Sequence, residues 1–352
     1  MTLKAAIIAD DLTGALDTGT PFAAAGLSVA VAVDVEAARD AIATGCDVVV
    51  VNTASRALNE REAAERIRLA VEMLGGAKPG IVMKKIDSRL KGNVAAESLA
   101  LAGALGLKNI LVAPAIPDQE RLTYRGCVVG RGVDRPLPIA DLFASADNVV
   151  VADAEDDTDL DQIVEGHVWL TTLGVGARGL GAAFARRLGE AGRPVAEFTA
   201  TPRTLFAFGS RDPITSAQMN RLEASGALRM VVDAPMGQIE CGEGLALPVL
   251  LRCSGDMAAD AMLVAGDFAA GVKRVIDDTR PDMLMVGGGD TALAVFRALG
   301  VRMLMPKGEI EAGIPWFDVT AADGRSFRCA VKSGGFGKPD SLLKLVLRNQ
   351  AA

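Results

Sequence analysis

Carboxylates, cations and glycines gather in five short stretches of this sequence, and each stretch follows an apolar run. Ala9-Asp-Asp-Leu-Thr-Gly14 sets Asp10 and Asp11 side by side. Such a pair can bond substrate hydroxyls, hold a magnesium ion or accept a proton. Asp11 or Thr13 can equally be the N-cap of the helix that follows. Lys84-Lys-Ile-Asp-Ser-Arg-Leu-Lys-Gly-Asn93 packs four cations, an acid, a hydroxyl and an amide into ten residues. A carboxylated or phosphorylated small molecule suits that density, because helix N-terminal amides and Arg or Lys donors favour anions. Ala113-Pro-Ala-Ile-Pro-Asp-Gln-Glu-Arg-Leu-Thr-Tyr-Arg-Gly126 is stiffened by two prolines ahead of its polar groups, and a long surface crossover accounts for it as well. Gly287-Gly-Gly-Asp-Thr-Ala292 and Lys332-Ser-Gly-Gly-Phe-Gly337 are glycine turns, in which backbone amides can approach phosphate oxygens closely. With Gly209-Ser-Arg-Asp-Pro-Ile-Thr-Ser-Ala-Gln218 as a third strand-to-helix turn, they point to a nucleotide. None is a Walker A loop or a G-x-G-x-x-G turn.

The elements that must position these residues follow from periodicity. Short buried apolar runs alternate with Ala-, Leu- and Arg-rich stretches of helical period, as in α/β proteins with parallel sheets. Ligands of such sheets bind at the carboxyl ends of strands. Strands are expected over 5–9, 28–33, 48–51, 80–86, 109–113, 149–152 and 169–172, with helices near 14–25, 60–74, 95–105 and 180–191. The segment 193–203 carries two prolines and no clear element, and reads as a linker. A second pattern follows, with strands at 204–208, 230–233, 283–286 and 329–332 and helices near 216–224, 257–278 and 291–299. The expected architecture is therefore α/β, with one domain over 1–199, another over 200–352, and mainly parallel sheets in both.

Composition removes other chemistries. Among 352 residues there is one histidine, so sites built on two or three imidazoles are out. That residue, His167, reads as structural at the start of a strand. The net charge is −7 and no Lys/Arg run exceeds two residues, which argues against nucleic acid as a partner. Five widely spaced cysteines without a C-x-x-C pair fit reduced thiols in a cytoplasmic protein. The longest nearly uncharged stretch, 18–33, is interrupted by glycine and proline and falls short of the ~20 apolar residues of a membrane-spanning helix.

Taken in order, ADDLTGALDTG, NTASR, KKIDSRLKGN, APAIPDQERLTYRG, GVGARGLGAAFA, GSRDPITSAQ, GGGDTA, GEIEAGIPW and KSGGFG resemble the four-carbon acid sugar kinase family. The resemblance extends over residues 9–337. It implies an N-terminal domain that binds a sugar acid (threonate, erythronate or 3-oxo-tetronate), a C-terminal domain that binds ATP with Mg2+, and an active-site cleft between them. It implies substrate contacts at Asp10, Asp11, Arg56, Lys84, Asp87, Ser88, Arg89 and Asn93. The catalytic carboxylate is then Asp10, Asp11 or Asp87, a choice the motif leaves open. Nucleotide contacts are implied at Ser210, Gly287, Gly288, Gly289, Asp290, Thr291, Gly334 and Gly335, with the metal ligands unassigned and homodimerisation open. The chain departs from the usual family pattern at Arg89 (threonine), Lys91 (arginine), Glu120 (glycine), Asp212 (a small polar residue) and Gly335 (asparagine). A lysine lacks the planar two-pronged grip of arginine on a carboxylate, which shifts attention to Arg89 for the acid end. A relative that binds acid and nucleotide without turnover is the competing expectation.

Overall fold

The computed structural model describes residues 3–189, 196–240, 244–255 and 260–347. The chain divides into two compact units, residues 1–195 and 196–352. Part of the expected linker (193–195), the ends of two expected helices (190–191 and 257–259) and Cys241 lie outside the described residues.

Unit one contains, in chain order, β1 (Ala5–Ala9), α1 (Leu12–Ala24), β2 (Val29–Ala32), α2 (Ala38–Ala43), β3 (Val48–Asn52), α3 (Glu60–Met73), β4 (Ile81–Lys85), α4 (Val94–Leu105), β5 (Asn109–Ala113), β6 (Arg121–Tyr124), β7 (Cys127–Gly130), β8 (Leu137–Pro138), β9 (Val149–Val151), α5 (Asp157–Glu165), β10 (Thr172–Gly176) and α6 (Arg178–Leu188). Within the unit the main sheet runs β2-β3-β1-β4-β10-β5-β9, every pair parallel. Its strands are continuous apolar runs such as Val48-Val-Val-Val51, the composition demanded of strands covered on both faces. Successive residues of a strand point to opposite faces. Lys84 pairs with Glu97 of α4, and Lys85 Nζ lies against the start of α1, so those two helices cover opposite faces. Five strands also end level: Ala9 is in register with Asn52 and Lys85, Lys85 with Gly176, and Gly176 with Ala113.

Two expectations are corrected here. The strand expected at 169–172 is instead Thr172–Gly176. Trp169 donates its Nε1 to Val164 O and packs edge-on to Phe184, leaving Leu170 exposed in a turn. The glycines of Leu173-Gly-Val-Gly176 are strand residues, and Phe184, Trp169 and the Ala113 carbonyl fill the space of their missing side chains. His167 accordingly follows α5 rather than opening a strand, and its Nδ1 is 2.8 Å from Ile163 O. The proline-rich third stretch is not a bare crossover either: it enters the antiparallel sheet β6-β7-β8.

Unit two contains β11 (Thr204–Phe208), α7 (Pro213–Ala224), β12 (Met230–Pro235), β13 (Val249–Ser254), α8 (Ala261–Thr279), β14 (Met283–Gly287), α9 (Gly289–Ala298), β15 (Met303–Leu304), β16 (Gly308–Glu309), β17 (Pro315–Thr320), β18 (Ser326–Lys332) and α10 (Ser341–Leu347). Its sheet is ordered β12-β13-β11-β14-β18-β17-β16, parallel from β12 through β18 and antiparallel beyond. Phe206, Phe208, Met283, Met285, Trp316 and Leu342 are among the buried side chains of its core. Both units are α/β with mainly parallel sheets.

Candidate active site

The level strand ends of unit one carry the acids. Asp10 leaves β1 almost fully buried, and Arg56, on the loop after β3, grips it with two bonds, Nε to Oδ2 at 2.8 Å and Nη2 to Oδ1 at 2.9 Å. The same Nη2 reaches Asp11 Oδ1 at 2.9 Å, and Arg56 Nη1 lies 3.9 Å from Asp87 Oδ2. Asp11 also caps α1, as one of the two readings of it expected, by accepting from the Gly14 amide. Burial alone would raise the Asp10 carboxyl, but Lys84, Arg56 and Lys85 hold it below its ordinary value. Burial would likewise lower the Arg56 guanidinium, and Asp11, Asp10 and Asp87 raise it above its ordinary value instead. Asp10 and Arg56 therefore each favour the charged form of the other.

The ten-residue stretch after β4 divides its labour. Lys84 is fully buried, and its ammonium donates to Lys85 O at 2.7 Å and pairs with Glu97 at 2.8 Å. It thus acts on the site through its charge on Asp10. Lys85, one of the cations expected to supply charge, reaches toward the start of α1: a methyl group on Gly14 would lie 2.7 Å from its Nζ and against Asp11 Oδ1. Asn93 donates to Ser55 O at 3.3 Å and Leu58 O at 2.8 Å, clamping the loop that carries Arg56. Asp87 Oδ1 accepts from the Arg89 amide at 2.8 Å, and Ser88 Oγ accepts from Arg121. Arg89 itself is exposed. Other participants escaped the sequence reading: Arg178, at the start of α6, pairs with Asp17 at 3.0 Å and Asp118 at 3.5 Å. Asp17 is one α-helical turn and more beyond Asp11, a spacing that offered a signal only in retrospect.

In unit two the three glycine-bearing turns meet, because Phe208, Gly287 and Lys332 are in register at the ends of β11, β14 and β18. The Gly209 and Ser210 amides both donate to Gly287 O, at 3.1 and 3.2 Å. The Gly288 amide donates to Lys332 O at 3.0 Å. A side chain on Gly287 would collide with the Phe208 ring, one on Gly209 with Thr291, and one on Gly334 would press on Asp212 and Ser210. Gly288 has φ 105°, a conformation that disfavours any other residue, and starts α9 with no side-chain cap. The first amides of α9 are thus left for an anion, whereas α7 is capped by Asp212. Lys332 lies buried beneath these turns, donating to Thr215 Oγ1 at 2.7 Å, Gly334 O at 2.9 Å and Ser333 O at 3.1 Å. Burial pushes its ammonium down to about 8 against the attraction of Asp212. Asp290 is exposed in the first turn of α9, and Gly289, Thr291 and Gly335 flank the same turns. Among the described residues no three His, Cys, Asp or Glu side chains cluster to hold a metal. Magnesium needs no such cage when phosphates and water complete its shell.

An α/β unit with an acid and arginine cluster at its strand ends, followed by an α/β unit with a small-residue amide cradle, defines a two-domain ligand-binding protein. Residues 5–138 match a sugar-binding N-terminal domain and residues 249–342 a nucleotide-binding C-terminal domain. The chain is 29% identical to a D-threonate kinase of Bordetella bronchiseptica, over 96% of this chain and 95% of that one. It is 27% identical to a 3-oxo-tetronate kinase of Methylobacterium radiotolerans, over 97% and 98% of the two chains. A crystal structure from Salmonella typhimurium LT2, described as a tRNA synthase, shares the fold with a TM-score of 0.74 at 19% identity, over 99% of each chain. Along nearly its whole length the chain is thus similar to four-carbon acid sugar kinases. No helix among its described residues is long and apolar enough to cross a membrane.

Proposed function

We propose that the chain is an ATP-dependent kinase that phosphorylates a hydroxyl of a small four-carbon sugar acid, such as threonate, erythronate or 3-oxo-tetronate, in the presence of Mg2+. The observation that carries this reading is the Asp10–Asp11–Arg56–Asp87 cluster at the level strand ends of unit one. Phosphoryl transfer asks for alignment and charge neutralisation more than for a strong base. Asp10 and Asp11 have their oxygens committed to Arg56, the α1 amide and Thr13. Their role is then to accept hydroxyl hydrogens that fix the sugar chain. Among the described residues Asp87 Oδ2 makes only the long 3.9 Å contact with Arg56, so it is the carboxylate oxygen with capacity left to orient the attacking hydroxyl and receive its proton. Ser88 and the exposed Arg89 face the acid end. In unit two the α9 amides, Ser210 and the Gly334–Gly335 turn fit the phosphates of ATP. Asp290 is the carboxylate suited to a phosphate-bound magnesium ion, whose chemistry is to neutralise charge on the transferred group.

A coupled ADP-release assay over D- and L-threonate, D- and L-erythronate and 3-oxo-tetronates, with and without magnesium, tests the reading. Magnesium-dependent ADP release with one of these acids supports it, and acid binding without release would favour a binding protein of the same fold. Asp87→Asn is expected to lower kcat by about 10²-fold or more with the KM for ATP unchanged. If Asp290→Asn alone abolished transfer at unchanged ATP affinity, the assignment of roles to the two units' acids would be wrong.

A further inference from the structure

Three arginines come together at the edge of this same site, and among the described residues none of them forms a salt bridge. Arg89 follows β4, Arg121 opens β6 and Arg131 follows β7. A methyl group on Gly132 would lie 3.8 Å from Arg121 Nη2 and 3.9 Å from Arg89 Nη1, so both guanidinium groups border one small volume. Arg131 is tied to the group through its carbonyl, which accepts from Arg121 Nε at 3.2 Å. Arg121 also donates to Ser88 Oγ, which joins the cluster to Asp87 next in sequence. Burial and the charge of Arg89 lower the Arg121 guanidinium, Asp87 opposes them, and Arg131 lowers it further. Arg89 and Arg131 are exposed, and among the described residues neither has an ion-pair partner. The neighbouring cations are already committed, Arg56 to Asp10 and Asp11, and Lys84 to Glu97. Like charges held this close repel until an anion joins them, and oxyanions with several acceptor lone pairs suit guanidinium donors best.

We infer that Arg89, Arg121 and Arg131 form an anion subsite that selects a hydroxy acid carrying a second anionic group, a carboxylate or a phosphate, besides its own carboxylate. A single carboxylate would satisfy Arg89 and leave the other two charges uncompensated. The inference rests on the kinase reading for the hydroxyl-bearing part of the ligand, while the subsite itself is independent of turnover.

The test is calorimetric titration of the full chain without ATP, using D- and L-threonate as monoanions, the tartrate stereoisomers as dicarboxylates and 4-phosphoerythronate as the phosphate arm. At least one dianion is expected to bind about tenfold more tightly than either threonate. Arg131→Gln should remove about that factor for the dianion and change threonate by less than about threefold, whereas Arg89→Gln, which also loses the contact with the first carboxylate, should weaken both. The arm that gains most identifies the oxyanion. Equal affinity for threonates and dianions, or dianion affinity unchanged in both variants, overturns the inference. Because these readings need no phosphoryl transfer, they fail separately from the ADP-release assay.

Discussion

Residues of one chemical type have been given different duties by where their side chains end. Lys84 and Lys85 are adjacent in the sequence, yet one is sealed beneath α4 with Glu97 and the other stands at the start of α1. Alternation along a strand guarantees the divergence, but which face carries the ligand depends on helices remote in sequence, so only the strand was legible. Asp10, Asp11 and Asp87 were legible because they follow apolar runs, Arg56 only through the family resemblance, and the four do converge. Lys332 was legible merely as part of a glycine turn, because burial is a tertiary property. Its ammonium titrates near 8 when folded and near 10.5 otherwise. The unfolded chain therefore binds more protons between those values, and stability gains from this group as the pH rises through the window. Urea unfolding at pH 8 and 10.5 should show that gain, on the order of 2 kcal/mol, in the parent relative to Lys332→Met. A variant with the same pH slope as the parent would show that Lys332 is not the titrating group.

At the scale of elements, the strands with β-branched runs were legible and β10 was displaced, because a strand lined with glycine looks like a turn until its packing partners are known. The third stretch shows the same limit. Glu120, where the family usually carries glycine, has φ 56° as the chain bends into β6. A side chain in the left-handed region costs about 1–2 kcal/mol, and glycine gives back part of that in unfolded-state entropy. Glu120→Gly is therefore expected to stabilise the chain by roughly 0.5–1 kcal/mol, read as a raised midpoint in urea. A lowered midpoint would mean that the carboxylate makes an interaction worth more than the strain.

At the scale of the whole molecule, two units with separate cores imply two sources of cooperativity. Ligands that bind only the folded form of a unit stabilise that unit by mass action. Scanning calorimetry of the chain with a sugar acid alone and with ATP alone should move different parts of the unfolding profile. One transition shifted equally by either ligand would contradict the assignment of acid to unit one and nucleotide to unit two. The alternation of apolar runs and helices made this division legible. The roles proposed for the units came from the family resemblance beside the polar residues at strand ends, whose meaning depends on which strands lie next to each other.

The level strand ends have a bearing on how this chain tolerates change in length. Ala9, Asn52, Lys85, Gly176 and Ala113 are fixed to one another by the hydrogen-bond ladder, as are Phe208, Gly287 and Lys332. A connection at the opposite edge, such as the turn between β17 and β18 or the bend from α8 into β14, can gain or lose residues without moving any of these termini. A deletion inside a strand would instead slip the ladder by one residue and turn every following side chain to the other face. Length changes at those connections would thus leave in place the strand ends that carry the acids and the glycine turns.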